Sequence, residues 1–112
     1  MYENRYEHKI YVPTVYGVFL TDLKQTLSNK YGGCSNQGVF GYWLDSSCEV
    51  ISENIRIISV ITQDSEPPEA FLEAKTELIR RGEECVLITC QEIKAAFLSM
   101  DHGVPDTFLK GN

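Results

Sequence analysis

Val39-Phe40-Gly41-Tyr42-Trp43-Leu44-Asp45-Ser46-Ser47-Cys48-Glu49-Val50-Ile51-Ser52-Glu53-Asn54-Ile55-Arg56-Ile57-Ile58-Ser59-Val60-Ile61-Thr62 is the stretch whose reading decides the fold. Residues 39–44 are aromatic and aliphatic, side chains that pack well on a pleated surface, and predict a strand. Residues 45–49 are turn chemistry, with short polar side chains that bond their own backbone. The run from Ile55 to Thr62 is apolar on both faces and predicts a central strand, so the two arms read as a β-hairpin. The polar interruption Ser52-Glu53-Asn54 predicts a β-bulge that bends the second arm.

Working outward, residues 9–15 (Lys9-Ile10-Tyr11-Val12-Pro13-Thr14-Val15) predict a strand upstream. Pro13 has no N–H to give a ladder, which places that strand at an edge or bulges it. Phe19, Leu23, Leu27 and Tyr31 recur every four residues and predict a helix over 18–31, stopped by Gly32-Gly33. Residues 34–38 are small and polar and read as a loop. Downstream, residues 63–68 open a second helix, with Asp64 or Ser65 as cap and the prolines in its first turn. Its stripe is Phe71, Ala74 or Lys75, and Leu78, flanked by Leu72 and Ile79; its acidic residues come early and Arg80-Arg81 late, and Gly82 closes it. Residues 85–90 are apolar on both faces and predict an interior strand, with Cys85 and Cys90 as small buried hydrophobes. Residues 93–98 fit either an extra edge strand or a helical turn, and 99–112 read as a tail.

The order strand, helix, strand, strand, helix, strand is the split β-α-β pattern, an α+β fold of the ferredoxin-like class. Right-handed crossovers then lay both helices on one face of an antiparallel sheet. With 112 residues there is room for a single domain, expected over 1–98.

Composition narrows the function classes. The chain is 43% hydrophobic and 23% charged, as soluble globular proteins are, with a net charge of −6. That balance opposes phosphate backbones and anionic lipid surfaces, so neither a nucleic-acid nor a membrane partner is expected. No apolar run is long enough to span a bilayer, and residues 1–9 are polar and mixed in charge. A cytoplasmic protein with reduced thiols is the expectation.

Motifs that carry chemistry are thin. No C-x-x-C, H-x-x-x-H or carboxylate–histidine cluster occurs, and His8 and His102, the only imidazoles, read as lying in terminal segments. Neither a metal nor a cofactor is expected from these spacings. Cys34, after the glycine stop, is the thiol expected to be most accessible, though no cation lies beside it to activate it.

Gly32-Gly33, Gly41-Tyr42-Trp43, Ile55 to Val60 and Glu84-Cys85-Val86-Leu87 together resemble a pattern of small bacterial and phage-borne α+β proteins of uncharacterised function. The resemblance spans residues 9–98 and implies the same ferredoxin-like fold without implying an activity.

The sheet face away from the helices is the remaining lead. Phe40, Tyr42 and Leu44 alternate with Val39, Gly41 and Trp43, so one set points away from the helices and needs a cover. Pairing of two copies through that face, a homodimer, is the leading expectation, ahead of burial by the chain itself or a small-molecule pocket. The functional expectation is a non-enzymatic binding or regulatory module working as a homo-oligomer, with a protein partner in view. The alternative is a small-molecule-binding enzyme or sensor of the dimeric α/β-barrel type. The residues singled out as ligand or interface candidates are Tyr11, Phe40, Tyr42, Trp43 and Glu53.

Overall fold

The computed structural model describes residues 1–98; the expected tail 99–112, with His102, lies outside the described residues. The elements are β1 (Glu3–Pro13), α1 (Gly17–Tyr31), β2 (Ser35–Leu44), β3 (Val50–Thr62), α2 (Glu69–Arg80) and β4 (Ile88–Ala95). The sheet has the order β2-β3-β1-β4, and all three pairings are antiparallel. This is the βαββαβ ferredoxin-like architecture. Among the described residues there is no fifth strand: Ile93 to Ala95 continue β4.

Cross-strand partners show which side chains share a face. His8, Ile10 and Val12 stand opposite Val60, Ile58 and Arg56, and Ile88 stands opposite Ile10. Ile10, Val12, Ile58 and Val60 form one core with Leu20, Leu23, Leu27 and Tyr31 of α1 and Phe71, Ala74 and Leu78 of α2. Both helices therefore lie on this one face. Each ends where glycine takes a left-handed conformation. Gly32, at φ 85°, gives its N–H to the Ser28 carbonyl. Gly82, at φ 110°, and Glu83 close α2 with bonds to Ile79 and Leu78, a Schellman closure.

Several local expectations are corrected. β1 is interior and begins at Glu3, so the polar N-terminal segment is half of a central strand. Pro13 is tolerated because Tyr11 gives its N–H to Leu87 on the β4 side, and β4 pairs no further than Ile10 with Ile88. By alternation the missing N–H of Pro13 points where that ladder has ended. The expected bulge at Ser52-Glu53-Asn54 is absent: the register runs unbroken from Ser35 opposite Ser59 to Leu44 opposite Val50. Residues 35–38 belong to β2 because pairing with the central strand overrides their small, polar character.

Strand β4 is an edge, not interior, and both Cys85 and Cys90 are exposed. In α2 neither Asp64 nor Ser65 caps the helix; Pro68 holds that position, and Asp64 Oδ1 instead accepts the Glu66 N–H at 3.0 Å.

His8 is fully buried in β1 rather than in a terminal segment. The Thr62 hydroxyl donates to the Asp64 carbonyl at 2.9 Å, which leaves its oxygen free to accept from His8 Nε2–H, also at 2.9 Å. Nε2 is 3.1 Å from the same carbonyl, while Nδ1 is buried without a hydrogen-bond partner. This contact ties β1 to the connection leading into α2.

Candidate functional site

The hairpin is longer than the sheet behind it. β1 pairs with β3 as far as Pro13 opposite Ile55, so residues 40–54 continue past the body as a two-stranded arm. At about 3.3 Å per residue β3 alone spans roughly 43 Å, and the longest dimension of the molecule is 55 Å. The tip is a three-residue loop: Cys48 N–H bonds the Asp45 carbonyl and Asp45 N–H bonds the Glu49 carbonyl, with Cys48 left-handed at φ 64°. Asp45 Oδ1 accepts from the Ser47 hydroxyl and from the Ser47 and Glu49 N–H groups, and these bonds hold its carboxyl below the usual range.

On the face away from the helices, the charged residues cluster on β1. Glu3, Arg5, Glu7 and Lys9 of β1 all point there, with ion pairs between Arg5 and Glu3 and between Lys9 and Glu7. The apolar residues gather most densely at the arm end, where Tyr11 stands opposite Ile57 and Trp43 opposite Ile51, while Ile61 and Ile93 stand opposite Glu7 and Arg5 in the charged part. Trp43 folds back over Gly41 so closely that a β-carbon there would meet Trp43 Cζ3 at 2.5 Å and Ile55 Cγ1 at 3.0 Å. Ile55 is thereby buried without help from a helix. The Trp43 indole hydrogen-bonds Glu53, the residue opposite Gly41. Desolvation there raises the Glu53 carboxyl, the Glu83 carboxylate adds to it, and the indole bond opposes both.

Phe40 and Tyr42 are on the other side of the ribbon. They share the helix-side face with Asn54 and Ser52, but lie beyond the reach of the helices and are 66% and 67% exposed. Leu44 and Val50 extend the same exposed row. The candidates thus divide into two groups. Trp43 and Glu53 are bonded, with Tyr11 on their face; Phe40 and Tyr42 form a separate row behind them. Tyr42 and Trp43 point to opposite faces and do not line one pocket of this chain.

Cys34 is not the exposed thiol expected. It is half-buried against the core, its Sγ 3.7 Å from Ser28 Oγ and 3.8 Å from the Lys24 carbonyl, whereas Cys48, Cys85 and Cys90 are exposed. Helix α1 turns this sulfur inward because Cys34 directly follows its glycine stop. Contacts not legible in the sequence also shape the region. The Tyr16 hydroxyl donates to Glu83 Oε2 at 2.8 Å, and this bond raises the phenol. The Arg56 guanidinium lies 2.9 Å from where a β-carbon on Gly38 would be, filling the helix side of β2.

Two hollows lie elsewhere. One, of about 150 Å³, is bordered by Lys30, Tyr31, Thr62 and the carboxylates of Asp64, Glu66 and Glu69. The other, of about 230 Å³, runs between the helices past Phe19, Ala70, Asp22, Glu73 and Glu77. Among the described residues no group of three or more His, Cys, Asp or Glu is placed to hold a metal ion. Nor is any described helix long and apolar enough to cross a membrane.

No family model matches the chain, and no curated protein matches it. Among solved structures it is similar to a GlnK–ATP complex from B. subtilis. The TM-score is 0.59 at 18% identity, covering 83% of this chain and 84% of that one. The likeness is one of fold.

Proposed function

We propose that the chain is a non-enzymatic binding or regulatory module that works as a homo-oligomer, in the simplest form a homodimer in the cytoplasm. The observation that carries this reading is the arm. Phe40, Tyr42, Trp43, Leu44, Val50 and Ile51 are all exposed large apolar side chains on one protruding ribbon. Exposed apolar rows on both faces of one protruding ribbon mark an interaction site. An enzymatic reading has less behind it. Among the described residues, the one ionisable group buried without a full set of partners, His8, is sealed in the core rather than aimed at an accessible cleft.

The solved neighbour is an ATP complex. In this chain a triphosphate would meet three carboxylates beside a single lysine in the first hollow. It would meet Asp22, Glu73 and Glu77 in the second, where Arg80 and Arg81 are already paired with Glu77. Charge argues against phosphate in either place. An acidic surface favours a basic protein partner instead.

Native mass spectrometry of the purified chain tests the reading. A ligand-free oligomer is the expected result. A monomer at micromolar concentration, or stoichiometric retention of a small molecule, would contradict it.

A further inference from the structure

The outer edge of β2 is built differently from the rest of the surface. From Ser35 to Leu44 it holds no charged residue and no proline, in a chain that is 23% charged with a net charge of −6. It contains no bulge, and among the described residues it pairs only with β3. Such an edge lacks the devices that normally prevent strand addition. The opposite edge, β4, is shorter and carries Glu92 and Lys94. Asp45 and Glu49 exchange a bond across the hairpin, so by antiparallel alternation the odd residues of β2 bond to β3. The N–H and C=O groups of Asn36, Gly38, Phe40, Tyr42 and Leu44 therefore point outward.

We infer that this edge pairs antiparallel with β2 of a second copy across a two-fold axis, joining two four-stranded sheets into one of eight. The inference rests on the homo-oligomer reading above and assigns its interface. Two copies of a chain at −6 repel each other over most of their surfaces, and the uncharged edge is where they can meet. The register follows from using every outward group. Phe40 then faces its own symmetry mate, Asn36 faces Leu44, and Gly38 faces Tyr42.

In that register the exposed row Phe40, Tyr42, Leu44 of each copy runs alongside the row of the other, and Tyr42 of the partner subunit meets the Arg56 side chain that already fills the helix side at Gly38.

Comparison of Tyr42→Ser with Tyr42→Pro tests this. Both remove the ring, but only proline removes the outward N–H, which the β2–β3 ladder does not use. Tyr42→Ser is expected to raise the dimer dissociation constant about tenfold. Tyr42→Pro is expected to raise it roughly a hundredfold further, because each lost bond leaves a partner carbonyl unpaired and occurs twice per dimer. Far-UV circular dichroism and Trp43 emission report that each variant is folded. A second measurement is oxidation of Phe40→Cys in a Cys48→Ser, Cys85→Ser, Cys90→Ser background. A covalent dimer is expected, since hydrogen-bonded antiparallel pairs place α-carbons about 5.5 Å apart, within disulfide range.

Equal dissociation constants for the two Tyr42 variants, with no cross-link, would overturn the edge pairing while leaving the oligomer reading standing. A wild-type monomer would overturn both.

Discussion

The Glu53 carboxylate lies beside the indole of the chain's one tryptophan, Trp43, so its titration has a built-in optical probe. Its pKa is raised in the folded chain, chiefly by desolvation and then by Glu83. A group with a raised folded pKa contributes stability fully below its unfolded pKa, and that contribution is lost as pH rises through the folded value. Glu53→Gln keeps an acceptor for the indole and removes the charge. Its stability is therefore expected to match the wild type below the ordinary carboxylate range and exceed it above that range. The pH-dependent change in Trp43 emission should disappear with it; urea titrations read by fluorescence at several pH values check both. Glu77 has the opposite sign. Arg80 and then Arg81 hold its carboxyl down at about 2, so its small surface contribution is lost only as pH falls through that value. At this scale the sequence pointed to Trp43 and Glu53 individually. It did not show that they are partners, because the bond depends on the exact β2–β3 register.

Among the elements, the helices and the body of the sheet carry the stability, and the arm carries little of it. Phe71 is fully buried between α2 and the sheet, so Phe71→Ala is expected to cost about 3–5 kcal/mol in chemical denaturation of the whole domain. Arg81 of the α2 terminus stacks over the Phe19 ring at 5.4 Å and ties the two helices together there. The helices were legible because their stripes repeat with helical period and glycine ends each one. The hairpin was legible because turn chemistry separates two apolar arms. The edge or interior position of β1 and β4 was not. Pro13 looked like an edge signal, yet it sits one step past the end of a ladder whose length is set by the distant β4. The apolar run 85–90 looked interior, yet only Val86 and Ile88 reach the core. His8 was misplaced for a related reason: a polar strand is recognisable only once its partners are known.

For the whole molecule, the sequence directed attention to the sheet face away from the helices. Its charged residues cluster on β1 and pair with one another; its apolar arm end is partly sealed by Trp43 folding over Gly41. What stays open is the protruding arm and the uncharged edge of β2. Candidate residues were found by their type, and Phe40, Tyr42 and Trp43 all lie on the arm. Alternation gave their two faces, but not that the helices stop short of them. An assembly built on this edge would set the exposed rows of two copies side by side and add its own strand order to the fold.

Amide hydrogen exchange, resolved by residue and followed against protein concentration, tests this most directly. If copies pair through β2, the amides of Asn36, Gly38, Phe40, Tyr42 and Leu44 are protected at high concentration. They exchange as free amides on dilution, while the odd-numbered amides bonded to β3 stay protected throughout. Fast exchange of the outward amides in a sample that is oligomeric by mass would contradict the account. So would their protection in a sample that is monomeric at every dilution.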